Sequence, residues 1–572
     1  MERRKVYTVI RVAILAVLLI SNFCFAKYSG GEGSSGNPYQ IANPNDLIAL
    51  GNTPTDYNSC FVLVNDINLA GYTFDKAVIA PDINNTDAEC QFQGKVFDGI
   101  FDGNEHSIIS LAVEVNNSDY LGLFGKIGSG GFVKNLGIKD VNIAGGYSYH
   151  IGGLVGCLDS GIIFNCYSTG SVTASSVFNP SSIFSSSYAG GLVGFLDSGT
   201  ISSCYSTCSV FSSSIFDSSY AGGLVGFSDS GTISYCYATG SVCSISDTTS
   251  GFSFPCAGGL VGLSSGKVFN CYATGSVLSS AGFTFSHAGG LIGFLDSGII
   301  YNCYSTGSVS GENIVGGLVG FLSSGTISKC YSTSSASSFS PNFTQYSGGL
   351  VGYTESGTIS SCYSQGSVSS YTSCFSCIEN SYAGGLCGYN GSSNITDCYS
   401  TGSVDGDYYA GGLCGYNNGI GSITNCYATG NVSGSSYYIG GLCGENMGGI
   451  SSSYYLYAGL DNGAGELLFE SQMKEVDSYV DWDFSYRDGD EADWFMAFDG
   501  YPILPWQISD ADIYTDGKNN LKDWAVFAGY WMREDCAIYN YYCEFADMDF
   551  DGDVDVNDLS EFMSYWLEEG IY

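Results

Sequence analysis

Residues 190–210 read Gly-Gly-Leu-Val-Gly-Phe-Leu-Asp-Ser-Gly-Thr-Ile-Ser-Ser-Cys-Tyr-Ser-Thr-Cys-Ser-Val, and this stretch decides the fold because the chain repeats it. Gly-Gly-Leu-x-Gly occurs ten times, with first glycines at Gly152, Gly190, Gly222, Gly258, Gly289, Gly316, Gly348, Gly384, Gly411 and Gly440. About ten residues on comes Cys-Tyr, at Cys166, Cys204, Cys236, Cys271, Cys303, Cys330, Cys362, Cys398 and Cys426; the tenth copy has Ser453-Tyr454 instead. A partial copy, Gly122-Leu123-Phe124-Gly125, brings the number of units to about eleven. Each unit holds two or three short strands, Gly-Leu-Val-Gly, Thr-Ile-Ser-x-Cys-Tyr and Gly-Ser-Val, with Asp-Ser-Gly turns such as Asp197-Ser198-Gly199 between the first two. So small a unit cannot bury its own apolar face, but stacking buries Leu192, Ile201, Cys204 and Val210 on their counterparts above and below. The expected fold is mainly β: a right-handed β-solenoid of about eleven coils, roughly 50 Å long at the spacing of strands in a sheet.

Outward from the repeat, the chain has 572 residues, 17 Lys+Arg against 56 Asp+Glu, and a net charge of -39. That charge excludes DNA, RNA and anionic membranes as partners, because Lys and Arg contacts to phosphate supply most of such binding. A hydrophobic share of 44%, with 15% aromatic, argues for a folded chain. Residues 1–26 carry Arg3, Arg4 and Lys5, an apolar run Val12 to Ile20, and Cys24-Phe25-Ala26, a secretory signal pattern with cleavage before Lys27. The apolar run is short of the ~20 residues that span a bilayer. The expectation is a secreted protein, extracellular or held at a cell surface, with no membrane span once the signal is removed. Residues 27–121 read as an N-terminal β cap, 122–455 as the solenoid, 456–509 as a cap closing the last coil, and 510–572 as a separate acidic module.

Of 23 cysteines, the nine of Cys-Tyr, with Cys387, Cys414 and Cys443, are expected to stack as a buried ladder of small hydrophobes, since parallel Cβ vectors a strand apart suit no disulfide. Disulfide candidates lie elsewhere: Cys60 with Cys90, Cys374 with Cys377, Cys536 with Cys543. Length variation falls between the Gly-Ser-Val strand and the next Gly-Gly-Leu. Those insertions carry Phe178, Phe184, Phe211, Phe216, Phe252, Phe254, Phe283, Phe285, Phe339, Phe343, Tyr371 and Phe375, either as an edge for glycan or surface contact or as a cover on the sheet. The turn acids Asp159, Asp197, Asp229, Asp296 and Glu355 form a vertical row, read as turn formers, with a thin Ca²⁺ ladder as the alternative.

The tail carries the most specific site. Asp547, Asp549, Asp551, Asp553 (through its carbonyl), Asp555 and Asp558 fall at positions 1, 3, 5, 7, 9 and 12 of a calcium loop, with Gly552 at position 6 for the sharp turn. A weaker copy 35 residues earlier offers Asp512, Asp516, Asn520 and Asp523, and both loops run on into related apolar stretches, Trp524 to Met532 and Leu559 to Leu567. The expected ion is Ca²⁺.

The repeat resembles the GLUG-motif family over roughly Gly122 to Ser453, which implies an extracellular β-solenoid found in surface proteins and adhesins, without a catalytic assignment. The tail is similar to a type I dockerin, a duplicated loop-helix with Asp at position 12, and that resemblance implies Ca²⁺-dependent docking to a cohesin-type module. Positions 10 and 11 are Leu521-Lys522 and Val556-Asn557 here, where dockerins commonly carry Ser-Thr. Two function classes follow: a non-catalytic scaffold or adhesion rod docked through the tail, and a polysaccharide-degrading β-helix hydrolase delivered by the same tail, with Asp397, Asp405 and Asp407 as its carboxylates. Two basic residues, Lys267 and Lys329, and one histidine, His287, between Gly152 and Ile450 favour the first.

Overall fold

The repeating unit winds into a coil of four short strands. In the unit quoted above they are Ser187–Gly190, Val193–Leu196, Thr200–Ser202 and the pair Tyr205–Ser206 with Ser209–Ser214. Each strand lies parallel and in register on its equivalent in the next coil: Ala189 on Ala221, Val193 on Val225, Ile201 on Ile233, Tyr205 on Tyr237, Val210 on Val242. The computed structural model describes residues 27–568 other than 84–90, 116–117, 147–149, 177–185, 216, 247–252, 283, 341–342, 373–379, 436–437, 458–461, 485–492, 498–499, 508–520, 534–545, 547 and 549–552. The expected signal segment and the partner cysteines Cys90, Cys374, Cys377, Cys536 and Cys543 lie outside the described residues.

The Val-Gly-x-Leu face has eleven strands, one for each unit counted in the sequence. The Thr-Ile-Ser face has 14, because Tyr39–Ile41, Cys60–Leu63 and Ile100–Asp102 of the N-terminal cap head it; the cap continues the stack. The fourth face branches where Tyr167–Ser176 pairs with both Tyr205–Ser206 and Ser209–Ser214, and the two rows do not rejoin. All faces are open sheets. Inside, Leu192, Ile201, Cys204 and Val210 are buried as expected, in one continuous apolar cluster that runs the length of the stack.

Three expectations need correction. Thr-Ile-Ser-x-Cys-Tyr is not one strand: residue x takes a left-handed conformation in every coil, with φ of 43–55° at Asn135, Asn165, Ser203, Tyr235, Asn270, Asn302, Lys329, Ser361, Asp397, Asn425 and Ser452. The corner turns the next cysteine inward, and Asn is frequent there because its side chain tolerates that region. Second, the described residues of the insertions are largely strand. Ser187–Gly190 packs against Ser209–Ser214, and Ser219–Gly222 against Val242–Ser246, across a layer of buried serines, where Ser187 Oγ lies 2.7 Å from Ser212 Oγ and Ser219 Oγ 2.8 Å from Ser244 Oγ. Third, the cysteines are more than apolar filler. The Cys204 Sγ accepts the N–H of Cys166 (3.3 Å), and its thiol donates to the Ser202 carbonyl (3.2 Å). Ser453 reproduces this in the tenth unit, accepting from Cys426 N–H (3.2 Å) and donating to Ser451 O (2.8 Å). Among the described residues every cysteine is a free thiol.

The Gly-Gly pair is dictated by close approach. A Cβ at Gly190 would lie 1.8 Å from the Val193 carbonyl oxygen, and one at Gly191 would lie 2.1 Å from the Gly223 oxygen of the next coil. After the last coil, Asn462 Nδ2 donates to the Cys443 and Gly444 carbonyls (2.8 and 2.9 Å), Glu466–Leu468 adds to Tyr454–Leu456, and the chain then turns back along the fourth face. In the tail, helices Leu521–Tyr530 and Val556–Glu568 pack through Phe527 and Phe562, whose ring centroids are 4.9 Å apart. These two residues occupy equivalent positions of the duplicated segment, 35 residues apart.

Candidate functional site

Helix Val556–Glu568 starts where the calcium-loop reading ends, and its start is built from that loop's acids. Asp555 Oδ1 accepts the Asn557 N–H at 2.6 Å, an N-terminal cap. Asp558 is wholly buried and accepts two backbone N–H groups, from Met548 at 2.6 Å and Asp555 at 2.7 Å. Carboxylate oxygens of Asp553, Asp555 and Asp558, loop positions 7, 9 and 12, lie within 4.8 Å of one another. The donors are all hard oxygens, which suits Ca²⁺ or Mg²⁺ and not a thiophilic metal. Val554 between them exchanges backbone bonds with the end of the preceding segment, Met532 N–H to Val554 O and Val554 N–H to Arg533 O, both 2.8 Å. Asp547, Asp549, Asp551, Asp512, Asp516 and Asn520 lie outside the described residues; Asp523 lies in helix Leu521–Tyr530.

Along the solenoid the proposed carboxylates have different neighbours. Asp397 is a left-handed corner residue that accepts the Asn425 Nδ2 (3.2 Å); burial, then the negative charge of Asp493, pushes its carboxyl up to about 6. Asp405 accepts from Tyr371 OH and from Ser433 Oγ (2.9 Å), and Asp407 from the Thr372 N–H (2.9 Å). The turn acids form the expected row: burial raises Asp197, and Asp159 and Asp229 on the coils either side raise it further. Lys126 Nζ lies 3.4 Å from Asp159. Sequence reading passed over Cys256 and His287, a thiol 3.6 Å from an imidazole Nδ1 across adjacent coils. Both are buried, and burial raises the thiol and lowers the imidazole to about 3, so both stay neutral and the pair makes no thiolate.

The fourth face carries a ladder that period alone did not suggest as a surface. Tyr167, Tyr205, Tyr237, Tyr272, Tyr304, Tyr331, Tyr363, Tyr399 and Tyr427 stack with centroids 4.8–5.0 Å apart and planes within 9°. Each ring face is covered by the next ring, so the ladder shows ring edges and hydroxyls instead of stacking platforms. In the insertions, Phe254, Phe285, Phe339 and Tyr371 are exposed, Phe339 by 56%, while Phe211 and Phe343 are half-buried. Phe178, Phe184, Phe216, Phe252, Phe283 and Phe375 lie outside the described residues. The insertions therefore extend the sheets and also leave aromatics at the surface.

Comparison with known proteins adds the repeat's affiliation. Residues 147–173, 217–242, 255–278, 286–310, 344–369, 379–405 and 406–433 match the GLUG motif. Seven stretches of the solenoid carry GLUG repeats. Halomucin of Haloquadratum walsbyi is 30% identical over 147 residues, 25% of this chain, and the matched region spans 2% of halomucin's length. Among solved structures, a candidate immunoglobulin A1 protease of Bacteroides ovatus is 18% identical, covering 64% of this chain and 87% of that one with a TM-score of 0.35. An IgA1 protease is 17% identical, covering 54% of this chain and 23% of that one with a TM-score of 0.34. Among the described residues, no helix is long and apolar enough to cross a membrane.

Proposed function

We propose that the chain is an extracellular or cell-surface scaffold or adhesion rod, whose GLUG solenoid presents a repeated surface to a glycan or neighbouring surface and whose tail docks to a cohesin-type module when Ca²⁺ is bound. The single observation that carries this reading is the uninterrupted parallel register of eleven coils, which presents the same side-chain columns coil after coil. Repetition of that kind suits extended, multivalent contact. The similarity to halomucin and the net charge of -39 support an extracellular setting. In the tail, Asp553, Asp555 and Asp558 converge at loop positions 7, 9 and 12, and like charges so close favour a cation between them. With Ca²⁺ bound, Asp553, Asp555 and Asp558 would fix the start of helix Val556–Glu568 for a partner. The test is calorimetric titration of the full chain with Ca²⁺, beside the Asp555→Ala and Asp558→Ala variants. Saturable binding lost in both variants supports docking; heat unchanged by either variant leaves the tail without its proposed role.

A glycan-active hydrolase is the second reading, favoured by Asp397, whose carboxyl near 6 falls in the range of a general acid. Release of reducing ends from polysaccharide that Asp397→Asn abolishes would establish it, and release that survives the substitution would reject Asp397.

A further inference from the structure

Three stretches of the form Asn-x-Ser/Thr, with x other than proline, start at described residues: Asn390-Gly391-Ser392, Asn394-Ile395-Thr396 and Asn431-Val432-Ser433. That pattern is the acceptor for N-linked glycans on exported proteins. Asn84, Asn116 and Asn342 begin three more and lie outside the described residues. The fold separates the first three. Asn390 is wholly buried, and its Nδ2 donates to Ser393 O (3.1 Å) and Asn417 Oδ1 (2.9 Å), so its amide nitrogen is already committed. Asn394 is exposed, but it sits in mid-stack between Thr358 and Ser422, and its Oδ1 accepts from Ser422 Oγ at 2.7 Å. Asn431 is exposed, and its side chain makes no hydrogen bond to a described residue.

Asn431 is also where the repeat departs from its own pattern. In the Gly-Ser-Val stretch the column holds serine in every coil from Ser171 and Ser209 to Ser403, and asparagine enters it only at Asn431. Two residues on, Asp405 of the coil before gives way to Ser433, the hydroxyl that completes the pattern. The position in the stack leaves room. Strand Val432–Gly434 pairs with Val404–Gly406 on one side, and no described strand follows it on the other. A bulky, hydrophilic group on Asn431 therefore meets no further described coil there. It would stand beside an open strand edge, the place where a sheet gains most from being shielded.

We propose that Asn431 is an N-glycosylation site, modified from an oligosaccharide carried on a lipid diphosphate. Asn431 Nδ2 forms a bond to the anomeric carbon of the first sugar as that carbon's bond to the phosphate oxygen breaks. The lipid diphosphate leaves with the electron pair, and the amide gives up one proton. In the stacked coil Ser433 Oγ donates to Asp405 Oδ1 at 2.9 Å, which holds the hydroxyl of the acceptor pattern against the coil before. Transfer therefore precedes the docking of this coil. The proposal rests on the extracellular reading, because only an exported chain meets such a donor, and it does not depend on the Ca²⁺ tail.

The test uses the full chain recovered from the medium or cell surface of its native host, digested with chymotrypsin and read by tandem mass spectrometry. Asn431→Gln, Ser433→Ala and Ser433→Thr variants are expressed in the same host. The expected result is saccharide mass on peptides that contain Asn431 and none on Asn390. Asn431→Gln and Ser433→Ala should each lower the intact mass by the same single glycan, and Ser433→Thr should keep it. Exported protein with an unmodified Asn431, or a Ser433→Ala variant that retains its glycan on Asn431, would overturn the proposal and leave the extracellular reading standing. Protein found only in the cytoplasm would overturn both. The Asn431 side chain supports no bond in the fold, so Asn431→Gln should match the wild type in circular dichroism, and a lost glycan then reports the acceptor and not misfolding.

Discussion

Replacing Cys271 by alanine and by serine separates two roles for the cysteine column. Cys271 Sγ is buried, accepts the Cys236 N–H at 3.4 Å and donates to Phe269 O at 3.1 Å. The Phe269 carbonyl keeps a second partner, the Tyr235 N–H at 3.1 Å, so alanine strands chiefly the Cys236 N–H. A buried donor left without an acceptor costs about 1–3 kcal/mol, toward the lower end because sulfur is a weak acceptor. Loss of the buried sulfur adds about 1 kcal/mol, comparable to a methylene. Cys271→Ala should therefore destabilise by about 2–4 kcal/mol. Cys271→Ser keeps an acceptor and a donor in the geometry Ser453 already shows, and should cost about 1 kcal/mol or less. Guanidinium unfolding followed by circular dichroism gives the ranking, and hydrogen exchange at the Cys236 amide reports the bond itself. Equal losses in the two variants, or a greater loss for serine than for alanine, would refute the hydrogen-bonding role and restore the column to apolar filler.

Three further outcomes follow from the geometry. The Asp397 carboxyl is raised in the fold to about 6, so its protonated form is the favoured one. Its contribution is full below pH ~4, where the unfolded chain is also protonated, and is lost as pH rises through about 6. Discounted for partial exposure, that is about 1–2 kcal/mol of greater stability at pH 4.5 than at 7.5, and thermal unfolding of Asp397→Asn should lack this component. Trp506→Phe removes the indole donor to Ser361 O and should weaken docking of residues 469–507 on the fourth face by about 1 kcal/mol, read as faster limited proteolysis between residues 470 and 507. Gly258→Ala places a Cβ 1.8 Å from the Val261 carbonyl, and should yield insoluble protein or a coil that opens measurably in hydrogen exchange. Wild-type solubility and exchange would contradict the close packing of the Gly-Gly pairs.

Much of the rod was legible because its information is local and repeated. Ten copies of Gly-Gly-Leu-x-Gly and the partial copy at Gly122 gave about eleven coils, and eleven strands form the Val-Gly-x-Leu face. Apolar positions such as Leu192 and Ile201 pointed inward as read. The corners were missed because a left-handed residue leaves a faint trace, here a column in which Asn, Ser, Asp, Tyr and Lys all occur. The Ser453 substitution was visible and carried the message that the column needs a hydrogen-bonding atom, yet only the bond from Cys426 N–H gave it meaning.

The segment 469–507, which returns along the fourth face, marks the boundary between the two kinds of information. Residues 456–509 were read as a cap for the last coil, and within them Trp482, Trp494 and Trp506 were visible in the sequence. Their destination depends on which carbonyls and ring edges the finished solenoid leaves unoccupied, and those exist only once neighbouring coils have used up the rest. Sequence by itself therefore determined the coil, its repeat number and its buried columns, because a repeating apolar pattern has one economical way to stack. Tertiary structure alone decided where the non-repeating segment lies, because that depends on contacts between residues as much as 145 positions apart.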